Sequence, residues 1–256
     1  MSLRSLYYLP AYYLTLLLFG LGGLELSLLG LLCSWLPATD RTEHFFQRLI
    51  HRHFGFFHWW SARGGLIHVR YQGFDALPAG GLVLAANHVS LIDITCLIAR
   101  LPEALCIFKP AIRHNPVLGA AARRAGYLGS DGGHDLIRAA ADKVAAGNRL
   151  IVFPAGTRTP PGAAPLPFRP GFVLIARRAG APIQLVRIAT NSDLLTKGSQ
   201  WWRLPRIPVR VEVTAGPLLG TDTDASPAEL TAQIEAWFAG APVLAAPASV
   251  ITVASS

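Results

Sequence analysis

The sequence predicts an α/β domain preceded by an apolar, membrane-directed helical segment. Two observations carry this. From Leu6 to Leu36 the chain holds one charged residue, Glu25. Beyond Leu66, short apolar runs of strand length alternate with segments of helical period, the pattern of a sheet flanked by helices.

In order, Leu6–Leu36 exceeds the roughly 20 apolar residues that one straight crossing needs. It predicts either one tilted helix or, broken at Gly20–Gly23, a hairpin dipping into one leaflet. A cleaved leader fits less well, because no small-x-small site follows the run. Residues 41 to 63 carry Phe, His and Trp at helical spacing. Leu66–Tyr71 alternates as a half-buried strand, and Leu82–Ala86 reads as a buried one. A helix follows over about Ser90–Ala99, then one near Asp135–Ala146, a strand Arg149–Phe153, a helix Phe172–Arg178 and strands Ile183–Ile188 and Val209–Thr214. Ser226-Pro227-Ala228-Glu229 is a capping box with Pro at the first helical position, opening a helix that runs to Phe238. This divides the chain into a membrane segment at 1–40, a domain at 41–240 and a loose tail at 241–256, where small residues and two prolines gather.

Hydrophobic residues make up 52% of the chain and charged ones 15%, so part of the apolar surface is expected to face lipid. The net charge of +8 rests on 20 Arg and 3 Lys spread along the chain. It favours an anionic partner, and anionic lipid headgroups meet that need at about 1 kcal/mol per nearby basic residue. A specific nucleic-acid partner is not expected, for want of a zinc spacing, an RNP-like motif or a basic helix with heptads. Arg41, Arg48, Arg52, Arg63 and Arg70 follow the apolar segment against a single Arg4 before it, which predicts a body on the cytoplasmic face. Cys33, Cys96 and Cys106 stand singly. They read as free thiols that pack as small hydrophobes.

Two constellations carry chemistry. Asn87-His88-Val89-Ser90-Leu91-Ile92-Asp93 falls where a buried strand gives way to a helix. With His88 in the turn and Asp93 in the first helical turns, the carboxylate reaches one imidazole nitrogen. The other nitrogen is then free to take a proton from an alcohol. Phe153-Pro154-Ala155-Gly156-Thr157-Arg158 follows another buried strand. There Gly156 permits close backbone approach and can leave an N–H pointing into the site, while Arg158 offers a fork matched to phosphate. Taken alone, a lone loop histidine is more often a satisfied polar residue, and a Pro-x-Gly turn more often a turn.

Together and in this order, NHVSLID and FPAGTR resemble the motifs of the PlsC-like glycerolipid acyltransferases, with Lys109–Gly119 (KPAIRHNPVLG) similar to that family's second block and Pro182–Ile188 to its fourth. The resemblance covers about Leu66 to Thr214 and implies a mixed sheet flanked by helices. It implies His88 as general base and Asp93 as its orienting partner. Gly156, Thr157, Arg158 and Lys109 would bind the acceptor, with Gly156 at the oxyanion. It further implies an acyl-carrier-protein or acyl-coenzyme A donor, a lysophospholipid acceptor such as 1-acylglycerol-3-phosphate, and no metal or bound cofactor. Where the family has Glu, this chain has Ala155, which puts the acceptor headgroup in question. The stretch Leu195–Trp202 (LTKGSQWW) resembles a segment of acyltransferases associated with aryl-polyene or xanthomonadin-type pigments, implying a polyene acyl donor or a non-glycerolipid acceptor in pigment synthesis; the tandem Trp201-Trp202 equally suits an interfacial anchor or core packing.

Three rivals stand beside acyl transfer. A serine hydrolase built on Ser90 lacks the Gly-x-Ser-x-Gly elbow. A lipid-binding protein with a decayed enzyme fold is made conceivable by Ala155. A nucleic-acid binder would show itself by salt-dependent retention on DNA.

Overall fold

The computed structural model describes residues 3–160 and 162–240. The expected loose tail at 241–256 lies outside them.

A seven-stranded sheet forms the centre: β1 (Ile67–Gln72), β2 (Leu82–Ala86), β3 (Ala104–Phe108), β4 (Leu128–Gly129), β5 (Arg149–Val152), β6 (Ile183–Thr190) and β7 (Val209–Leu219). Their spatial order is β1-β7-β6-β2-β5-β3-β4. All neighbours are parallel except β6 and β7, so the sheet is mixed. Central β2 (LVLAA) is buried at every position because helices cover both of its faces. At the β1–β7 edge the pattern relaxes to alternation, with Val209, Val211 and Val213 inward and Arg210 and Glu212 outward.

One face packs against α1 (Leu3–Leu32), α2 (Asp40–Arg63), α3 (Ile92–Arg100) and α5 (Gly119–Arg124). The other packs against α6 (Gly133–Ala145), α7 (Gly171–Ala179) and α8 (Pro227–Phe238). A short α4 (Pro110–Arg113) follows β3. On α2, Phe46, Ile50, Phe54 and Phe57 recur every three to four residues and form its buried stripe. The expected capping box of α8 is present in both directions, Glu229 N–H to Ser226 Oγ at 3.2 Å and Ser226 N–H to Glu229 Oε2 at 2.6 Å.

The strands and helices read from periodicity are present, with ends moved by a few residues. The sequence reading passed over β3, β4 and the short helices α4 and α5. β4, α4 and α5 are too brief to show a period.

The apolar segment is one continuous helix, so the hairpin alternative does not hold. Gly20–Gly23 remains helical because two of its glycines serve packing. A Cβ on Gly22 would stand 2.5 Å from the His53 ring, and one on Gly23 2.6 Å from Val117 Cγ1. Farther along, a Cβ on Gly30 would meet the backbone of Ala120 at 2.9 Å. These close approaches seat α1 against α2 and α5, so it is docked on the domain rather than separate from it. Its opposite side, including Leu17, Leu21, Leu24, Leu28 and Leu31, is exposed over most of its length. Leu6–Leu32 is long and apolar enough to cross a membrane by length and composition.

Candidate active site

The strand order explains how distant blocks of sequence meet. β6, β2, β5 and β3 are successive parallel neighbours, so the segments leaving their C-terminal ends emerge on one edge. Such edges hold ligands in open α/β sheets. His88 leaves β2, the 153–158 turn leaves β5 and Lys109 leaves β3.

Asp93 is the second residue of α3 and is 1% exposed. Its Oδ2 lies 2.9 Å from His88 Nδ1 and also accepts the N–H groups of Val89 at 2.6 Å and Ser90 at 2.8 Å. The loop thus folds back over the start of the helix and is held by one carboxylate oxygen. An ionised carboxylate only accepts, so Nδ1 carries the proton and Nε2 presents its lone pair. Phe153 stacks on the imidazole, with centroids 4.0 Å apart and planes at 15°, which fixes the ring plane.

Asn87 and Phe153, to which the sequence reading gave no role, support this arrangement. Asn87 bonds both polar backbone groups of Ile188 on β6, at 2.8 and 2.7 Å, and so pins the start of the His88 loop to the neighbouring strand. Thr159 N–H donates to His88 C=O at 2.8 Å and ties the two motifs together. Nothing in sequence spacing signals either contact, because each joins residues far apart in the chain.

Ser90 is buried, its Oγ accepting from Ile92 N–H at 3.0 Å and lying 3.4 Å from Asp93 Oδ1. It is engaged on the carboxylate side of the pair, unlike a nucleophile poised at Nε2. Cys106 is also buried, and burial pushes its thiol well up, so it stays protonated and unreactive.

The second motif departs from expectation at one atom. Gly156 takes φ +68°, open to glycine at no steric cost. Its N–H, however, donates to Phe153 C=O at 2.8 Å and closes the turn, so it does not face the site as an oxyanion donor. Among the described residues, the N–H groups of Thr157 and Arg158 make no hydrogen bond. Arg158 Nη1 donates to Leu195 C=O at 2.6 Å and Thr196 C=O at 3.1 Å. Among the described residues its Nη2 and Nε make none, so one edge of the fork is spent on a loop.

His88, Lys109, Gly156, Thr157 and Arg158 all border one cavity of about 360 Å³. That volume suits a small-molecule site. Away from these groups the walls are mostly apolar and come from α1, α2, α3, β3 and α5, among them Leu26, Phe54, Ile98 and Ala121, with His53, Tyr127 and Ser130 as further polar lining.

The comparisons agree with this architecture. Residues 68–189 match the family model described as Acyltransferase. The 1-acyl-sn-glycerol-3-phosphate acyltransferase of Helicobacter pylori is 31% identical over 122 residues, 45% of this chain and 52% of that protein, so the match spans about half of that relative. The lyso-ornithine lipid O-acyltransferase of Pseudomonas aeruginosa is 33% identical over 184 residues, 66% of this chain and 67% of that protein. In fold, the chain is similar to the crystal structure of the 1-acyl-sn-glycerophosphate acyltransferase PlsC of Thermotoga maritima, with a TM-score of 0.67 and 23% identity over 91% of this chain and 93% of that one. With one relative matched at this identity over two thirds of its length and both motif blocks at one sheet edge, the chain belongs to the PlsC-like glycerolipid acyltransferase family.

Proposed function

We propose that this protein is a membrane-associated O-acyltransferase that moves an acyl chain from an acyl-carrier-protein or coenzyme A thioester to a hydroxyl of a lysophospholipid. The observation that carries this reading is the His88–Asp93 pair, with His88 at the border of a largely apolar cavity. Nε2 of His88 takes the acceptor's hydroxyl proton, and the oxygen forms the new ester bond at the thioester carbonyl. The C–S bond then breaks, and the departing thiolate recovers the proton from the imidazolium. Thr157 and Arg158 N–H are the candidate oxyanion donors, each worth roughly 3 to 4 kcal/mol where such donors have been removed. The apolar walls take the acyl chain. Lys109 and the free edge of Arg158 take the acceptor headgroup.

The exposed side of α1 supports membrane association, since an apolar stripe of this length implies a lipid partner. The arginine excess after it supports a cytoplasmic-face body, where thioester donors are made.

The acceptor has two readings. A 1-acylglycerol-3-phosphate suits the basic border and one relative's name. Ala155, where the family has Glu, and the lyso-ornithine lipid relative favour a different headgroup. Acyl transfer from a panel of carrier-protein and coenzyme A thioesters, polyene chains included, to both lysolipids decides between them. Product formed by wild type and lost in His88→Ala supports the enzyme. Binding of lysolipid without turnover under every condition would point instead to a lipid-binding protein on a decayed fold.

A further inference from the structure

The loop between β6 and β7 performs no step in the proposed chemistry, yet it touches the parts that matter. Its base is closed by Asn191, which accepts from Arg210 N–H at 2.7 Å and donates to Pro208 C=O at 3.2 Å. Near its start, Leu195 C=O accepts from Leu91 N–H at 3.1 Å and from Arg158 Nη1, with Leu195 itself at φ +55°. A non-glycine side chain is rare in that region. Farther on, Tyr12 and Tyr13 of α1 donate their hydroxyls to the carbonyls of Trp201 and Trp202 at 2.6 and 2.7 Å.

These bonds grip the backbone of the tryptophan pair and leave the rings outside. Trp201 is 56% exposed and Trp202 50%, packed edge to face on each other at 5.6 Å. Neither ring contributes to the buried core. Beside them on α1, Leu9, Tyr13, Leu14 and Leu17 are also exposed, so the pair extends the apolar side of that helix. Lys197, Arg203 and Arg206 of the same loop are exposed against a single acid, Asp193. Exposed tryptophans flanked by cations and continuous with an apolar helix face fit the boundary between headgroups and acyl chains of an anionic bilayer.

We infer that Trp201 and Trp202 are a second lipid-contacting element, seated at the headgroup layer next to α1, and that their loop aligns the site with bilayer-borne acceptor. The inference rests on the membrane acyltransferase reading, and its first test needs no turnover. Full-length protein is mixed with phosphatidylglycerol–phosphatidylcholine vesicles carrying brominated chains, alongside Trp201→Ala/Trp202→Ala. The expected result is a blue shift and bromine quenching that are clearly larger in wild type than in the variant, the difference being the contribution of the pair, since Trp35, Trp59, Trp60 and Trp237 remain in both. If the alanine pair lowers Tm, Trp201→Phe/Trp202→Phe reads the same difference with apolar bulk kept. In the second test, kcat/KM for vesicle-borne acceptor falls in the variant, while turnover of a short-chain monomeric acceptor without vesicles is unchanged. Equal quenching in wild type and variant overturns the inference, as does an equal loss of turnover on both acceptors. So does a raised KM for the acyl-carrier-protein thioester without lipid, which would make the pair a donor-docking surface.

Discussion

Asp93 Oδ2 holds His88 Nδ1 at 2.9 Å while accepting the N–H groups of the next two residues, so one oxygen both orients the imidazole and folds the loop that carries it. Asp93→Asn should therefore lose activity in two ways. The amide no longer enforces the Nδ1–H tautomer, and it satisfies fewer of the three donors. We expect kcat to fall by about 10² to 10⁴ with KM little changed, the range for a disabled general base. Stability should fall by about 1–3 kcal/mol from donors left unpaired. His88→Ala should match the loss of kcat with a smaller loss of Tm, measured by steady-state kinetics and thermal melts.

Arg158 spans cavity and loop, so its replacement is expected to be felt at both. Arg158→Lys keeps the charge but cannot donate to Leu195 and Thr196 while offering a second edge to acceptor. The loss should be about 2 kcal/mol, typical of a charged hydrogen bond. It should appear as a raised KM for acceptor with the donor KM unchanged.

Cavity depth should govern chain length. Ala121 on α5 lines the apolar wall and is buried. Ala121→Leu should shift preference toward shorter acyl thioesters, read from competition between donors of different length. An unchanged profile would separate the cavity from the acyl chain.

The α1 glycines should divide by what faces them. Gly30→Ala drives a Cβ into the Ala120 backbone, which cannot swing aside, and should cost about 1–3 kcal/mol by overpacking. Gly20 has nothing within 4 Å of a Cβ, so Gly20→Ala should be neutral or stabilising by about 1 kcal/mol. Thermal melts of the two variants read this contrast.

Acid should destabilise the fold through His58. Burial pushes its imidazole down from 6.5 to about 4, with Nε2 3.0 Å from Thr95 Oγ1. The folded state keeps it neutral while the unfolded chain protonates near 6.5, so between about pH 6.5 and 4 the unfolded state binds more protons. Stability is complete above that window and declines as pH falls through it, by about 3 kcal/mol at the limit. His53 is lowered by burial in the same direction. Tm should drop from pH 7 to pH 5, and His58→Gln should flatten part of that slope.

Features that depend only on neighbouring residues were legible before any fold was known. Burial on both faces is written into LVLAA at β2, and the turn at Asn87–Ser90 sets the five-residue interval that lets Asp93 reach back to His88. Both motif blocks and the cap of α8 were legible because each is a local arrangement of backbone and side chain.

Features that depend on contacts between distant residues were set by the folded chain. Gly20–Gly23 looks like a break when only local propensity is weighed, yet Gly22 and Gly23 are where α1 presses on α2 and the Val117 segment. The two-residue β4 exists only because β3 offers it a ladder, and Gly156 gives up its N–H to Phe153 when the turn closes. Strand order, which no local pattern encodes, brings His88 beside the 153–158 turn. Packing also chose which partner Arg158 holds. The difference is one of range: local sequence sets dihedral preference and the burial pattern, whereas side-by-side placement is selected by the shape and satisfied polar groups of the whole core.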